Sequence, residues 1–65
     1  MTENLQFQIL AKTIGKNVNV NFCLGRVTIT GVTTDITVYG DEMYIDYKRY
    51  KLDEAELFKI LEELE

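Results

Sequence analysis

The chain has 65 residues, of which 46% are apolar, and carries a formal charge of −4. That makes one domain spanning residues 1–65, too apolar for a disordered tail but near the lower size limit for a self-sufficient core. There is no histidine or serine and only one cysteine, Cys23. An internal disulfide, a structural zinc site and the Ser-His or Cys-His nucleophile pairs are therefore excluded, and the composition predicts no enzyme, metal or cofactor.

Residues 2–14 fit two patterns. Leu5, Phe7 and Ile9 alternate with Gln6 and Gln8 as in a strand, while Leu5, Ile9, Leu10 and Ile14 fall on one face of a helix. Thr2 as N-cap, Gly15 as stop, and the glutamine, alanine and lysine content favour the helix. Residues 17–22 read Asn-Val-Asn-Val-Asn-Phe, which predicts a half-buried strand over about 17–23 with Val18, Val20 and Phe22 on one side. Leu24-Gly25 turns the chain, and residues 26–30 alternate again with Val27 and Ile29 inward. At Gly31-Val32 the alternation slips, the expected place for a bulge or sharp bend. Thr33-Thr34-Asp35 is turn-like, Ile36–Tyr39 is extended, and Gly40-Asp41 turns once more. Met43, Ile45 and Tyr47 then share a face opposite Tyr44, Asp46 and Lys48.

The last helix is signalled from its first residue. Asp53 caps it, Glu56 stands where a capping box places its acid, and Leu52 with Leu57 can form a hydrophobic staple. Leu57, Ile60, Leu61 and Leu64 make the apolar stripe, with Phe58 beside it. The fold class predicted is α+β: a small, strongly bent antiparallel sheet or partly open barrel of four to five strands, with a helix-like segment before it and an α-helix after it.

Charge is unevenly spread. Residues 53–65 hold six acids (Asp53, Glu54, Glu56, Glu62, Glu63, Glu65) against Lys59, a net of −5, which leaves +1 on the preceding 52 residues. Glu62, Glu63 and Glu65 oppose the helix dipole, so they gain the helix nothing locally and stand as an acidic handle for a basic partner or as a solvated end. Lys48, Arg49 and Lys51 form the only basic cluster, with Tyr44, Tyr47 and Tyr50 near it. Such interleaving can hold a nucleic-acid backbone and stack bases, though Asp46, Asp53 and Glu54 dilute the field. Asn17, Asn19 and Asn21 with Thr28, Thr30 and Thr37 predict a polar outer sheet face, and Cys23 reads as a small, inert filler.

Over residues 7–35 the chain resembles the first segment of Sm-like proteins, small barrels that assemble into rings and bind RNA. The matching elements are Ile14-Gly15-Lys16, the alternating Val18 and Val20, Gly25-Arg26, Gly31 and Asp35. The departures are that Asp35 follows Gly31 by only four residues, and that Ile36, Thr37 and Val38 stand where the family has an asparagine in its RNA pocket. Lys48-Arg49 is followed by Tyr50 rather than glycine, and the strongest helix is last rather than first. The resemblance implies an SH3- or Sm-like barrel and a tendency to oligomerise, without the RNA site.

The leading expectation for function is a non-catalytic, homo-oligomeric protein-interaction module of the kind phages and mobile elements use to bind and inhibit a host protein. Its partner-binding candidates are Tyr44, Tyr47, Tyr50, Glu62, Glu63 and Glu65. Oligomerisation is expected because the chain lacks every other reinforcement of a small core. A second expectation is RNA or single-stranded DNA binding through Lys48, Arg49 and Lys51. A third is a nucleotide or other small-molecule binder or sponge, with a polar pocket between subunits. The longest apolar runs are a few residues, so no membrane span is expected. The start Met-Thr-Glu-Asn lacks a signal-peptide pattern, and the lone thiol fits a reducing cytoplasm.

Overall fold

Alternation of apolar and polar residues sorts each strand into two sides, and this places the whole core on one side of a single sheet. In the computed structural model, which describes residues 3–64, α1 spans Glu3–Thr13 and five strands follow: β1 (Asn19–Cys23), β2 (Arg26–Thr30), β3 (Asp35–Tyr39), β4 (Glu42–Ile45) and β5 (Lys48–Lys51). After β5 comes α2, Glu54–Glu63. The strands pair antiparallel in chain order, an open meander with β1 and β5 as its edges. The fold is thus α+β, with an open sheet in place of a closed barrel.

Cross-strand partners share a side of an antiparallel sheet, so the register defines rows of side chains. One side carries the rows Val20–Ile29–Ile36–Ile45–Lys48 and Phe22–Val27–Val38–Met43–Tyr50. Val27, Ile29, Ile36 and Val38 have no exposed surface, and they meet Leu5 and Ile9 of α1 and Leu57 and Leu61 of α2 in one cluster. Both helices therefore cover this side. The predicted inward residues of β2 and β3 are the centre of the core.

Burial falls off toward the sheet edges. Val18 and Val20 are half-buried against the core, as the alternation predicts, whereas Phe22 on the same side is 41% exposed. At the opposite edge every residue of β5 is exposed. Along α1 the buried line is Leu5, Ile9 and Thr13; the hydroxyl of Thr13 donates to the carbonyls of Ile9 and Leu10, each at 3.0 Å. Phe7, Leu10 and Ile14 point to solvent. The proposed Thr2 cap lies outside the described residues.

Two local expectations change. Of the bulge or sharp bend expected at Gly31-Val32, the structure has the bend, where the chain leaves β2, and no bulge: the β2–β3 register is unbroken, and the Gly31 N–H donates to the Thr34 carbonyl at 2.9 Å. A Cβ at Gly31 would sit 3.0 Å from that carbonyl oxygen, tighter than an ordinary contact, so any larger residue would have to push the Thr34 backbone back by a few tenths of an ångström. Tyr47 does not share a strand face with Met43 and Ile45. β4 ends at Ile45, and Asp46 and Tyr47 form a two-residue hairpin turn with φ of 51° and 72°.

α2 begins with the Asp53 cap its sequence predicts, without the return bond from the Glu56 side chain that would complete a capping box. The Asp53 carboxylate accepts from the Glu56 N–H at 3.3 Å, Leu52 packs against the core, and Leu57 is buried. Its end is held from elsewhere in the chain. The ammonium of Lys16, just beyond α1, donates to the carbonyls of Glu62 (2.9 Å) and Leu64 (2.7 Å). Lys12 pairs with the Glu62 carboxylate at 3.0 Å and stacks over the Phe58 ring at 5.1 Å. These cations supply the favourable charge that α2 lacks in its own last turn. Replacing Lys16 with Met removes both hydrogen bonds while keeping the aliphatic stem. The expected loss is about 1–2 kcal/mol, seen as a lower urea midpoint with unchanged slope.

Candidate binding face

The side of the sheet away from the helices is uncovered, and its rows differ sharply from the core rows. Asn21, Thr28, Thr37, Tyr44 and Arg49 run across all five strands, flanked by the row Cys23–Arg26–Tyr39–Glu42–Lys51 and by Asn19–Thr30–Asp35. The polar outer face expected from the asparagines and threonines is present, with aromatic and charged residues interleaved. Cys23 is exposed at the rim of this face and is not a packing filler.

Two shallow clefts mark the face. One, of about 270 Å³, is lined by Asp35, Thr37, Tyr44 and Tyr47. Its shape depends on the link between the β4–β5 turn and the start of β3. The Asp46 N–H donates to the Asp35 carbonyl at 2.9 Å, and the Asp46 carboxylate accepts the Asp35 N–H at 3.1 Å. The Tyr47 hydroxyl leans toward the Asp35 carboxylate at 3.4 Å, while its ring remains 89% exposed. The other cleft, of about 210 Å³, is lined by Cys23, Leu24, Arg26 and Tyr39. Here the Arg26 guanidinium stacks over its cross-strand neighbour Tyr39, 5.4 Å from the ring centroid.

Each cleft is bordered by a hairpin tip with unusual backbone geometry. Leu24 has φ of 51° and is 95% exposed; Tyr47 has φ of 72°. A side chain with a Cβ is strained in this left-handed region, by roughly 1–2 kcal/mol, and glycine is not. Folding alone would be served better by glycine at both tips. Instead each tip displays a large apolar or aromatic side chain to water.

The expected site residues separate by strand parity. Tyr44 and Tyr47 come together at one cleft, but Tyr50 lies on the core side of the sheet, at its edge beside Met43. Within the basic cluster, Arg49 and Lys51 belong to the uncovered face and Lys48 to the other. Arg49 is paired with Glu42 at 3.3 Å, and Tyr44 approaches the same carboxylate at 3.5 Å. Of the acidic end, Glu62 is engaged by Lys12, and Glu63 borders a cleft of about 130 Å³ beside Asn17 and residues 31–34. Glu65 lies outside the described residues. Thr37 lies on the outer face as its sequence predicts; sequence reasoning missed Arg26, Asp35 and Tyr39 as site residues, although their alternation with Val27, Ile36 and Val38 marks them as residues of the uncovered side.

Because Leu24 carries strain without burial, Leu24→Gly is expected to raise stability by roughly 0.5–1 kcal/mol, the relief less the entropy of glycine. Thermal unfolding checks this, and Gly25→Ala, at φ of 78°, must move the midpoint the other way. Among the described residues no helix is long and apolar enough to cross a membrane. Comparison with protein-family models, with curated proteins and with solved structures returned no match.

Proposed function

We propose that the chain is a non-catalytic, self-associating protein-interaction module that binds a protein partner on the uncovered sheet face. The observation that carries this reading is the pair of strained hairpin tips, where Leu24 and Tyr47 are displayed at a cost to folding. Strain of this kind concentrates at functional positions. Between the tips stand Arg26, Tyr39 and Tyr44, residue types enriched among the energetic anchors of protein interfaces. The threonine and asparagine rows offer hydrogen bonds without the desolvation cost of charge. Occupying a partner's surface suffices to block it, so inhibition is the activity this design supports.

Charge favours a protein over nucleic acid. The uncovered face sets Arg26, Arg49 and Lys51 against Asp35 and Glu42, with Arg49 already paired. One net positive charge gives little counterion release, the term that dominates binding to a phosphate backbone. A carboxylate in the tyrosine cleft opposes a polyanion further.

Tyr47→Gly separates function from folding, because it relieves strain and exposes nothing. Affinity capture from cells, after nuclease treatment, is expected to retain a stoichiometric protein on the native chain. Tyr47→Gly and Tyr39→Ala should each lose that protein by about tenfold or more, the scale of an interface anchor, with no fall in the thermal midpoint of Tyr47→Gly. Undiminished capture by both variants, or a salt-sensitive shift of a labelled oligonucleotide in place of protein capture, would overturn the proposal.

A further inference from the structure

The two edges of the sheet are built differently. Three of the four residues of β5 are cations (Lys48, Arg49 and Lys51), the common device by which an edge strand repels a second strand. β1 reads Asn-Val-Asn-Phe-Cys and has no charge, no proline and an unbroken register with β2. Its outer edge is open: among the described residues none pairs with β1 on that side.

The register determines which backbone groups are free. In a two-residue hairpin the closing pair, Cys23 and Arg26, is hydrogen-bonded, and bonding alternates along the ladder from there. Asn19, Asn21 and Cys23 therefore direct their N–H and C=O groups toward β2. Val20 and Phe22 direct theirs outward, to an edge with no partner.

We infer that β1 is a self-pairing edge, at which two copies of this chain join antiparallel across a two-fold axis at Asn21 to form one continuous sheet. This rests on the self-association in the reading above and gives it a surface, a symmetry and a register. With Asn21 opposite its own copy, Val20 faces Phe22 of the second copy, and each such pair exchanges both of its free backbone hydrogen bonds. Both side chains lie on the core side of the sheet, so Phe22, 41% exposed in one chain, gains an apolar neighbour. The absence of charge makes β1 compatible with itself under two-fold symmetry, whereas β5 against β5 would oppose cation to cation. Pairing β1 to β5 instead would leave a free edge at each end and grow without closing.

The experiment has two arms. Light scattering of the native chain is expected to give twice the monomer mass, and Phe22→Lys should reduce it to the monomer by placing a cation opposite Val20 of the other copy. In the second arm, Asn21→Cys is made together with Cys23→Ser. Directly opposed residues in a non-hydrogen-bonded pair stand roughly 4.5 Å apart at Cα, within disulfide reach. Mild oxidation should therefore link two chains nearly completely, a readout independent of how Phe22→Lys folds. A monomeric native chain, a mass that grows with concentration without limit, or failure of the Asn21→Cys chains to cross-link would each overturn the inference. Phe22 lies on the opposite side of the sheet from Tyr39 and Tyr44. Loss of dimerisation in Phe22→Lys with partner capture intact, or loss of capture in Tyr47→Gly with the dimer intact, tells failure of one proposal from failure of the other.

Discussion

One-sided burial governs this molecule. A single sheet of five short strands has only two faces, and both helices are committed to one of them, so every fully buried strand residue is of one parity. Central position then decides how well each is covered: β2 and β3 are closed over completely, while β1 and β5 are left with half-buried or exposed side chains. A one-residue shift in register would exchange Ile29 and Ile36 for threonines, which is why the register is strongly specified by the sequence. The same constraint leaves the opposite face free of any structural duty beyond solubility.

That freedom is used asymmetrically. The uncovered face carries tyrosines, arginines and threonines, and its two clefts lie beside hairpin tips whose residues are poorly suited to their backbone angles. The core side carries the chain's stability, so the uncovered side can change composition with little effect on folding. The tyrosine cleft is also preorganised, because reciprocal contacts between Asp35 and Asp46 fix the turn that presents Tyr47.

Much of the fold was legible because the physical signals were local. Alternation at 17–22 and 26–30 and the Asp53 cap each predict an element found in place. β5 was not, since an edge strand exposed on both sides shows no apolar alternation, and Asp46-Tyr47 lacks the glycine that marks a tight hairpin. Tyr47 consequently read as a continuation of the strand. The site was legible only in part for a related reason. Tyr44, Tyr47 and Tyr50 are neighbours in sequence, but pleating sends Tyr44 and Tyr50 to opposite faces. Arg26 and Tyr39 are far apart in sequence and adjacent across strands.

The contact from Lys16 to the end of α2 has a consequence for how the molecule is made. Every strand pairing joins sequence neighbours, so the meander can zip up as it leaves the ribosome. The helix pair cannot. Lys12 and Lys16 lie 46 to 50 residues ahead of the groups they bind, on Glu62 and Leu64. The first helix must wait until all five strands and α2 have been made before its cations find their carbonyls and carboxylate, and until then the oily side of the nascent sheet stays half uncovered.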